Sequence, residues 1–507
     1  MRNRLPPSFY NPITLGGVAI AAVSFIVIVF LAVLDYFAPT PNPYVGILAF
    51  VIVPSVLLSG LAIAAFGAWR EHRRRRAGTP IDRHLPIVDL NNPSHRAGLA
   101  LVSIGSLALI LFSSFGSFQA YEHMESDAFC GKSCHTPMEP EYTLYANSPH
   151  AKVGCVQCHI GSGASWFVRS KLSGSYQLYA VLFNKISRPI KTPITNLRPA
   201  QETCEQCHWP KQFYSAKLRS MTYFTSGEKW ELDLLMKIGG GNQDVGPTNG
   251  IHWHMNIGNK VTYIPIDESR QTIPWVRAEG LDGTVHTYRS TETPLTAADS
   301  ANNPVRRMDC IDCHNRPSHI YQPPARAVNH LMAIGAIDPT LPNAKDLSVF
   351  VLEVPYSTTK AGTDSIRIAI EAYYAANYPA LLTTRKAQIE RMITEVQGFY
   401  AKNYFPLMKA NWKEFPNNIG HMYFLGCFRC HDGKHVAENG KVLSKDCNVC
   451  HAILAQKFER DTMRIALQGV KYQHPVDVGD AWETTNCYEC HNPPETKPRV
   501  VGSRQSP

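Results

Sequence analysis

The chain has 507 residues, of which 44% are hydrophobic and 10% aromatic, with 50 Lys and Arg against 41 Asp and Glu. This composition excludes a disordered, collagen-like or coiled-coil protein. All 14 cysteines fall in pairs that are followed directly by a histidine, so no thiol is left over for a disulfide framework or a lone nucleophile.

The first 120 residues contain the long apolar stretches. No charged residue occurs from 5 to 34, from 36 to 69 or from 97 to 121. Each stretch can supply the roughly 20 residues that a helix needs to cross about 30 Å of hydrocarbon. We therefore predict three transmembrane helices, near residues 13–34, 45–68 and 97–118. A cleaved signal peptide is the alternative for the first, but that stretch lacks a small-residue cleavage site and two more follow it.

Positive charge is concentrated beside these stretches. Arg2 and Arg4 precede the first one, and residues 70–76, between the second and third, include five arginines. Because basic segments stay on the cytoplasmic side of a membrane, three spans would put the N-terminus in the cytoplasm and everything after Tyr121 outside it. The arginine run therefore indicates topology and contact with membrane lipid, and not binding to nucleic acid.

Six motifs of the form Cys-x-x-Cys-His follow in the rest of the chain. In such a motif two sulfurs bond covalently to a haem and the next histidine ligates its iron. In chain order they are Cys155, Cys158 and His159; Cys204, Cys207 and His208; Cys310, Cys313 and His314; Cys427, Cys430 and His431; Cys447, Cys450 and His451; and Cys487, Cys490 and His491. Zinc is the alternative, but zinc sites need no histidine directly after each second cysteine. The repetition predicts covalently bound haem c.

A seventh motif precedes these six and has three residues between its cysteines. It comprises Cys130, Cys134 and His135, and Met138 follows three residues later. Met138 either ligates the first iron, which would raise its reduction potential relative to two histidines, or packs on the porphyrin face. With this motif the sequence predicts seven haems.

Distal iron ligands must come from the other histidines. Of the 20 histidines, seven belong to motifs and three, His72, His84 and His95, precede Tyr121. If Met138 serves the first haem, six irons need a ligand from the remaining ten. We predict His150, His252, His254, His319, His421, His435 and His474, ahead of His123, His286 and His330.

The number of haems also bears on the fold. About 385 residues would serve seven haems, so porphyrins should fill much of the core. The predicted fold class is three N-terminal transmembrane helices followed by a mostly α or irregular multihaem cytochrome c domain with little sheet. Amphipathic helices are expected at 363–374 and 383–402, a small hairpin within 220–298, and disorder after Asn492.

Segments around the first two motifs carry a family resemblance. They are residues 129–142, reading FCGKSCHTPMEPEY, Ser148-Pro-His150, and Cys155–His159 followed by Ser170-Lys171. Together they resemble the membrane-anchored NapC/NirT/NrfH quinol dehydrogenases. The seven motifs and three apolar stretches resemble most closely the heptahaem ImcH-type inner-membrane cytochromes, over nearly the whole chain.

The resemblance implies a menaquinol dehydrogenase of the bacterial inner membrane, with its haem domain in the periplasm. It would pass electrons one at a time to periplasmic c-type cytochromes, in anaerobic or extracellular respiration. Met138 and Lys171 would lie at the quinol site. The acidic residue expected shortly after the lysine is missing, and Gln177 lies in that region.

The domains expected on this basis are a membrane anchor (1–120), a NapC/NirT-like domain with haems 1–4 (121–330), a helical connector (331–410), and a C-terminal domain with haems 5–7 and a flexible tail (411–507). Two other functions fit the same motifs. One is a membrane-tethered relay that docks a soluble reductase without oxidising quinol, and the other is a substrate-reducing haem centre. A homo-oligomer is compatible with either.

Overall fold

A computed structural model describes most of the chain. The described residues are 7–9, 11–37, 53–78, 89–133, 135–160, 164–194, 198–209, 213, 215–225, 228–239, 250–256, 258–458 and 463–492. Cys134, the side chain of His135, the start of the second predicted span and the tail after Asn492 lie outside them. The chain forms two compact units, residues 1–126 with 155–179, and residues 127–154 with 180–507.

The helices, in chain order, are α1 (Pro12–Phe37), α2 (Val53–Arg76), α3 (Pro93–Glu125), α4 (His135–Ala146), α5 (Cys155–His159), α6 (Ala164–Leu182), α7 (Ala200–Thr203), α8 (Ala297–Asn302), α9 (Cys310–Cys313), α10 (Pro324–Ala333), α11 (Ala344–Glu353), α12 (Thr359–Asn377), α13 (Leu381–Thr384), α14 (Lys386–Asn403), α15 (Ala481–Thr484) and α16 (Cys487–His491). The strands are β1 (Lys217–Thr225), β2 (Glu228–Met236), β3 (Lys260–Ile264), β4 (Trp275–Glu279), β5 (Val285–Ser290), β6 (Arg306–Arg307), β7 (His435–Ala437), β8 (His451–Phe458) and β9 (Arg464–Ile465).

Small residues bring α1 and α2 of the first unit close together. A Cβ atom on Gly17 would lie 2.4 Å from the backbone nitrogen of Ala64. The Asn11 side chain donates a hydrogen bond to the carbonyl of Gly67 at 3.3 Å, and the Thr14 hydroxyl donates one to the carbonyl of Ala64 at 3.3 Å. Close backbone approach with hydrogen bonds between helices is the packing that membrane helices use.

Two helices of the described chain are long and apolar enough to cross a membrane, Pro12–Leu31 and Val53–Arg76. The prediction of three spans is therefore wrong. Its third stretch lies inside α3, a helix of 33 residues in which serine and glycine recur, and lack of charge alone does not make a span. The cytoplasmic N-terminus that we argued from three spans stays a prediction, because the two helices do not show the orientation of the chain.

The second unit contains two antiparallel sheets, so the prediction of little sheet is also wrong. Their strand orders are β1-β2-β8-β9 and β6-β3-β4-β5-β7. Strands distant in sequence are paired, β2 with β8 and β5 with β7. Hydrogen bonds between strands thus join segments that flank different Cys-His motifs. The number of residues per haem, on which we based the prediction of little sheet, does not indicate such pairing.

A separate apolar core lies among α10, α11, α12 and α14. Ile366 and Ile370 of α12 and Met392 and Val396 of α14 are fully buried there. The helices predicted at 363–374 and 383–402 are confirmed as α12 and α14. Their three-to-four-residue spacing of apolar side chains produces this packing.

Candidate functional site

The Cys-His motifs of the second unit form single helical turns. In three of them the backbone N–H of the histidine bonds to the carbonyl of the first cysteine, at 2.7 Å for His208, 2.8 Å for His314 and 3.0 Å for His431. One turn puts residues three apart on the same face. The two sulfurs of a motif can therefore reach one porphyrin while the histidine turns towards its iron.

The cysteines of the second and third motifs lie on such turns at or near the surface. Cys158, in the first unit, is half-buried near the end of α5. In the third motif Cys204 is half-buried and Cys207 is exposed, and the backbone N–H of Cys207 donates to the carbonyl of Cys204 at 3.1 Å. Attachment of haem through Cys158 and Cys207 stays a prediction, as it does for the other motif cysteines.

Five motif histidines lie opposite a second histidine from elsewhere in the chain. The ring centroids are 6.1 Å apart for His150 and His208, 6.4 Å for His252 and His314, 6.0 Å for His254 and His431, 6.2 Å for His421 and His451, and 6.3 Å for His474 and His491. Two iron–nitrogen bonds of about 2 Å each would put the ring centroids about 6 Å apart. Each pair therefore has room for one iron ligated from both sides.

Backbone carbonyls orient the distal rings of these pairs. The Nδ1 atom of His254 lies 2.8 Å from the carbonyl oxygen of Ile251, and that of His474 lies 2.8 Å from the carbonyl oxygen of Val476. His252 makes the same kind of contact at 3.2 Å. An Nδ1–H donated to a carbonyl leaves Nε2 as the metal-binding atom, the usual arrangement around a histidine ligand.

Burial favours the neutral form of these rings. Desolvation lowers the pKa of His252 and of His254. Desolvation, together with neighbouring His451, lowers the pKa of His421 to about 4. The Nδ1 atoms of His421 and His451 are buried without a hydrogen-bond partner in the described part of the chain. Because neutral imidazole is the metal-binding form, the residues fit a haem iron.

His435, which the sequence also suggested as a ligand, is placed differently. Its Nδ1 lies 2.9 Å from an Asp432 carboxylate oxygen and its Nε2 lies 2.7 Å from the carbonyl oxygen of Ile273. Burial opposes the charged form, but these hydrogen bonds prevail and raise the pKa of His435. Both ring nitrogens serve the protein, so neither is free for iron.

His319 lies beside the helix of the first motif. Its Nδ1 is 2.9 Å from the carbonyl oxygen of Glu141 on α4, and Arg316 donates a hydrogen bond to the Glu141 carboxylate at 2.9 Å. This contact fixes the orientation of the His319 ring. Its role as a distal ligand stays a prediction.

The first motif begins in a short helical turn, Phe129–Ser133. Gly131 in this turn packs against the ring of Tyr142, where a Cβ atom would lie 2.0 Å from the ring. Met138 is half-buried on α4, one turn after His135. Since the described residues do not include Cys134 or the side chain of His135, ligation by Met138 stays a prediction.

The structure supplies an acidic partner for Lys171 that sequence reasoning missed. The Lys171 Nζ lies 3.2 Å from a carboxylate oxygen of Glu125, and the two side chains are 35% and 12% exposed. Glu125 ends α3 and precedes the lysine by 46 positions, so a search after the lysine could not find it. Gln177 is exposed and bonds to Ser173 on its own helix, at 3.3 Å.

Comparisons with known proteins agree with the motif pattern. Residues 92–199 match the N-terminal region of the NapC/NirT cytochrome c family. The chain is 42% identical over 486 residues to the cytochrome c-type protein ImcH of Geobacter sulfurreducens, and the match covers 95% of each chain. No solved structure matches the chain.

Proposed function

The chain belongs to the NapC/NirT cytochrome c family, and we propose that it is a menaquinol dehydrogenase. Members of this family that resemble ImcH are membrane-associated electron-transfer cytochromes with covalently bound haem. Seven Cys-His motifs support a count of seven haems. Electrons would leave one at a time for periplasmic c-type cytochromes.

The ion pair of Lys171 and Glu125 carries the proposal. Oxidation of a quinol to a quinone releases two electrons and two protons. The Lys171 ammonium can donate a hydrogen bond to one quinol oxygen, and the largely shielded Glu125 carboxylate can accept one of the two protons, while the other is released to water. When bound, haem iron supplies the one-electron acceptor, so a quinol must deliver its two electrons in succession.

The chemistry of haem attachment argues for the compartment. Thioether bonds of c-type haems are made outside the cytoplasm, so we assign the haem-bearing region to the periplasmic side of the bacterial inner membrane. A quinol dissolved in the bilayer would then meet Lys171 and Glu125 at the end of helix α3.

Replacement of Glu125 tests this function. Glu125→Gln keeps the size of the side chain and its contact with Lys171, but it removes the proton acceptor. Loss of a general base typically costs about 10²–10⁴-fold in rate, so reduction by a menaquinol analogue should slow by at least about tenfold. Glu122→Gln, at an exposed position on the same helix, is the matched control.

Reduction by a chemical reductant distinguishes a defect at the quinol site from a defect in the haems. Dithionite should reduce Glu125→Gln as completely as it reduces the unmodified protein. If Glu125→Gln and Lys171→Met both oxidise the quinol analogue at the normal rate, the site assignment is wrong. If the unmodified protein accepts electrons from a weak reductant but not from quinol, it is a relay that another protein feeds.

A further inference from the structure

Two distal histidines share one short turn. His252 and His254 both lie on Ile251–Met255, and they face the histidines of different motifs. His252 faces His314 of the fourth motif with parallel rings, at an interplanar angle of 1°, and His254 faces His431 of the fifth at 88°. Because only one residue separates the two ligands, the turn ties the fourth and fifth haem sites to each other.

A buried polar network joins the same two motifs directly. Asp312 lies between the cysteines of the fourth motif and is 3% exposed, and Arg429 lies between those of the fifth and is 8% exposed. The guanidinium of Arg429 donates a hydrogen bond to the main-chain carbonyl of Asp312 at 2.7 Å. The Asp312 carboxylate receives hydrogen bonds from the Tyr263 hydroxyl at 2.6 Å and from Arg270 at 3.0 Å.

Two further hydrogen bonds belong to the network around Asp312 and Arg429. Arg429 also donates to the carbonyl of Arg270 at 2.9 Å, and Asn418 donates to the carbonyl of Asp312 at 3.0 Å. The Arg429 side chain of the fifth motif is therefore fixed to the main chain of the fourth, the two motif loops share Arg270 as a partner, and the charges of Asp312 and Arg429 are shielded from water.

We propose that Asp312 and Arg429 are positioning residues that hold the fourth and fifth haem sites as one electrostatically coupled pair, the link between the first four sites and the last three. The proposal depends on haem attachment and not on quinol oxidation. Since the two loops share one network, a change in its charge should act on both irons. Loss of a negative charge makes the reduced iron more favourable, because the field of a buried charge is weakly screened.

Asp312→Asn tests the proposal. The substitution keeps the main-chain carbonyl that binds Arg429 and removes one buried negative charge. Two of the seven reduction potentials should rise together, each by about tenfold in the reduction equilibrium, or about 59 mV for one electron. A spectroelectrochemical titration of the full-length protein in detergent measures this with mediators and needs no quinol. Asp364→Asn, on the exposed face of α12, is the control and should move none.

A second variant keeps the proposal testable if Asp312→Asn fails to bind its full number of haems. Tyr263→Phe removes a hydrogen-bond donor to Asp312 and keeps the carboxylate, so its negative charge is less compensated and the same two potentials should fall. Iron per chain is measured alongside. With full haem content, a shift confined to one haem, shifts spread over more than two, or no shift would overturn the proposal.

Discussion

A histidine inside a protein can serve the protein or a metal, and the partners of its two ring nitrogens decide which. His421 has an unpartnered Nδ1 in the described structure and faces His451 at a ring distance of 6.2 Å. His435 uses both nitrogens for hydrogen bonds to Asp432 and Ile273. The chemistry of the two residues therefore differs although both follow the helical connector closely in sequence.

Substitution of each histidine by alanine should separate these roles. If His421 and His451 ligate one iron as proposed, His421→Ala should change one haem per chain from low-spin six-coordinate to high-spin five-coordinate iron. His435→Ala should leave all haems low-spin and lower the free energy of unfolding by about 1–3 kcal/mol, since it leaves buried acceptors unpaired. Electron paramagnetic resonance and thermal unfolding measure the two effects. A high-spin haem in His435→Ala would refute the assignment.

The angles between the paired histidine rings predict features of the electron paramagnetic resonance spectrum. His252 with His314 and His421 with His451 are nearly parallel, at 1° and 11°, whereas His254 with His431 are nearly perpendicular, at 88°. Mutual ring orientation sets the splitting of the ferric d orbitals, so the oxidised protein should show a parallel and a perpendicular class of low-spin resonance, with the pairs at 37° and 66° between them. His254→Ala should remove a signal of the perpendicular class. Loss of a parallel-class signal instead would contradict the assigned pair.

At the scale of elements, close contact between helices depends on where glycine lies. Gly16 and Gly17 are neighbours in α1, yet a Cβ on Gly17 would meet the backbone of α2 at 2.4 Å and one on Gly16 would meet nothing within 4 Å. Of these two glycines, Gly17 is therefore the one that the approach of the two helices requires.

Leucine at these two positions gives a matched comparison. Gly17→Leu should force α1 and α2 apart and destabilise the folded protein by about 1–3 kcal/mol, the usual cost of overpacking. Gly16→Leu adds a side chain on an exposed face and should be nearly neutral. The midpoint of thermal unfolding in detergent measures both. Equal midpoints for the two variants would argue against the packing of this helix pair.

Local patterns in the sequence specified some elements and not others. The apolar spacing of residues 363–374 was enough to predict α12, because the helix and its buried face arise from the same few residues. The pairing of β2 with β8 joins segments more than 200 residues apart, and the contact of Glu125 with Lys171 joins two different helices. Nothing local encodes such contacts. Likewise, freedom from charge predicted a helix over 97–118 but did not establish a span.

On the scale of the whole molecule, successive motifs of the second unit are neighbours in space. The backbone N–H of Ala200, before the third motif, donates to the Asp309 carboxylate, before the fourth, at 3.2 Å. Arg429 of the fifth motif donates to the carbonyl of Asp312 in the fourth at 2.7 Å, and His421, opposite His451 of the sixth, stacks on Phe428 of the fifth at 4.4 Å. The third to sixth sites therefore follow one another in space as they do in sequence. We propose on this basis that electrons pass through the fifth site on their way to the last two.

Removal of one site at a time tests this linear order. Replacing Cys427 and Cys430 by alanine should lower iron content by one per chain and separate the last two sites from the rest. After mixing with a menaquinol analogue, these two should be reduced at least about tenfold more slowly than in the unmodified protein, because electron transfer weakens steeply with distance. Replacing Cys487 and Cys490 removes the terminal site instead and should leave the other six at their normal rate. Rapid filling of the last two sites without the fifth would mean that the path branches before Cys427.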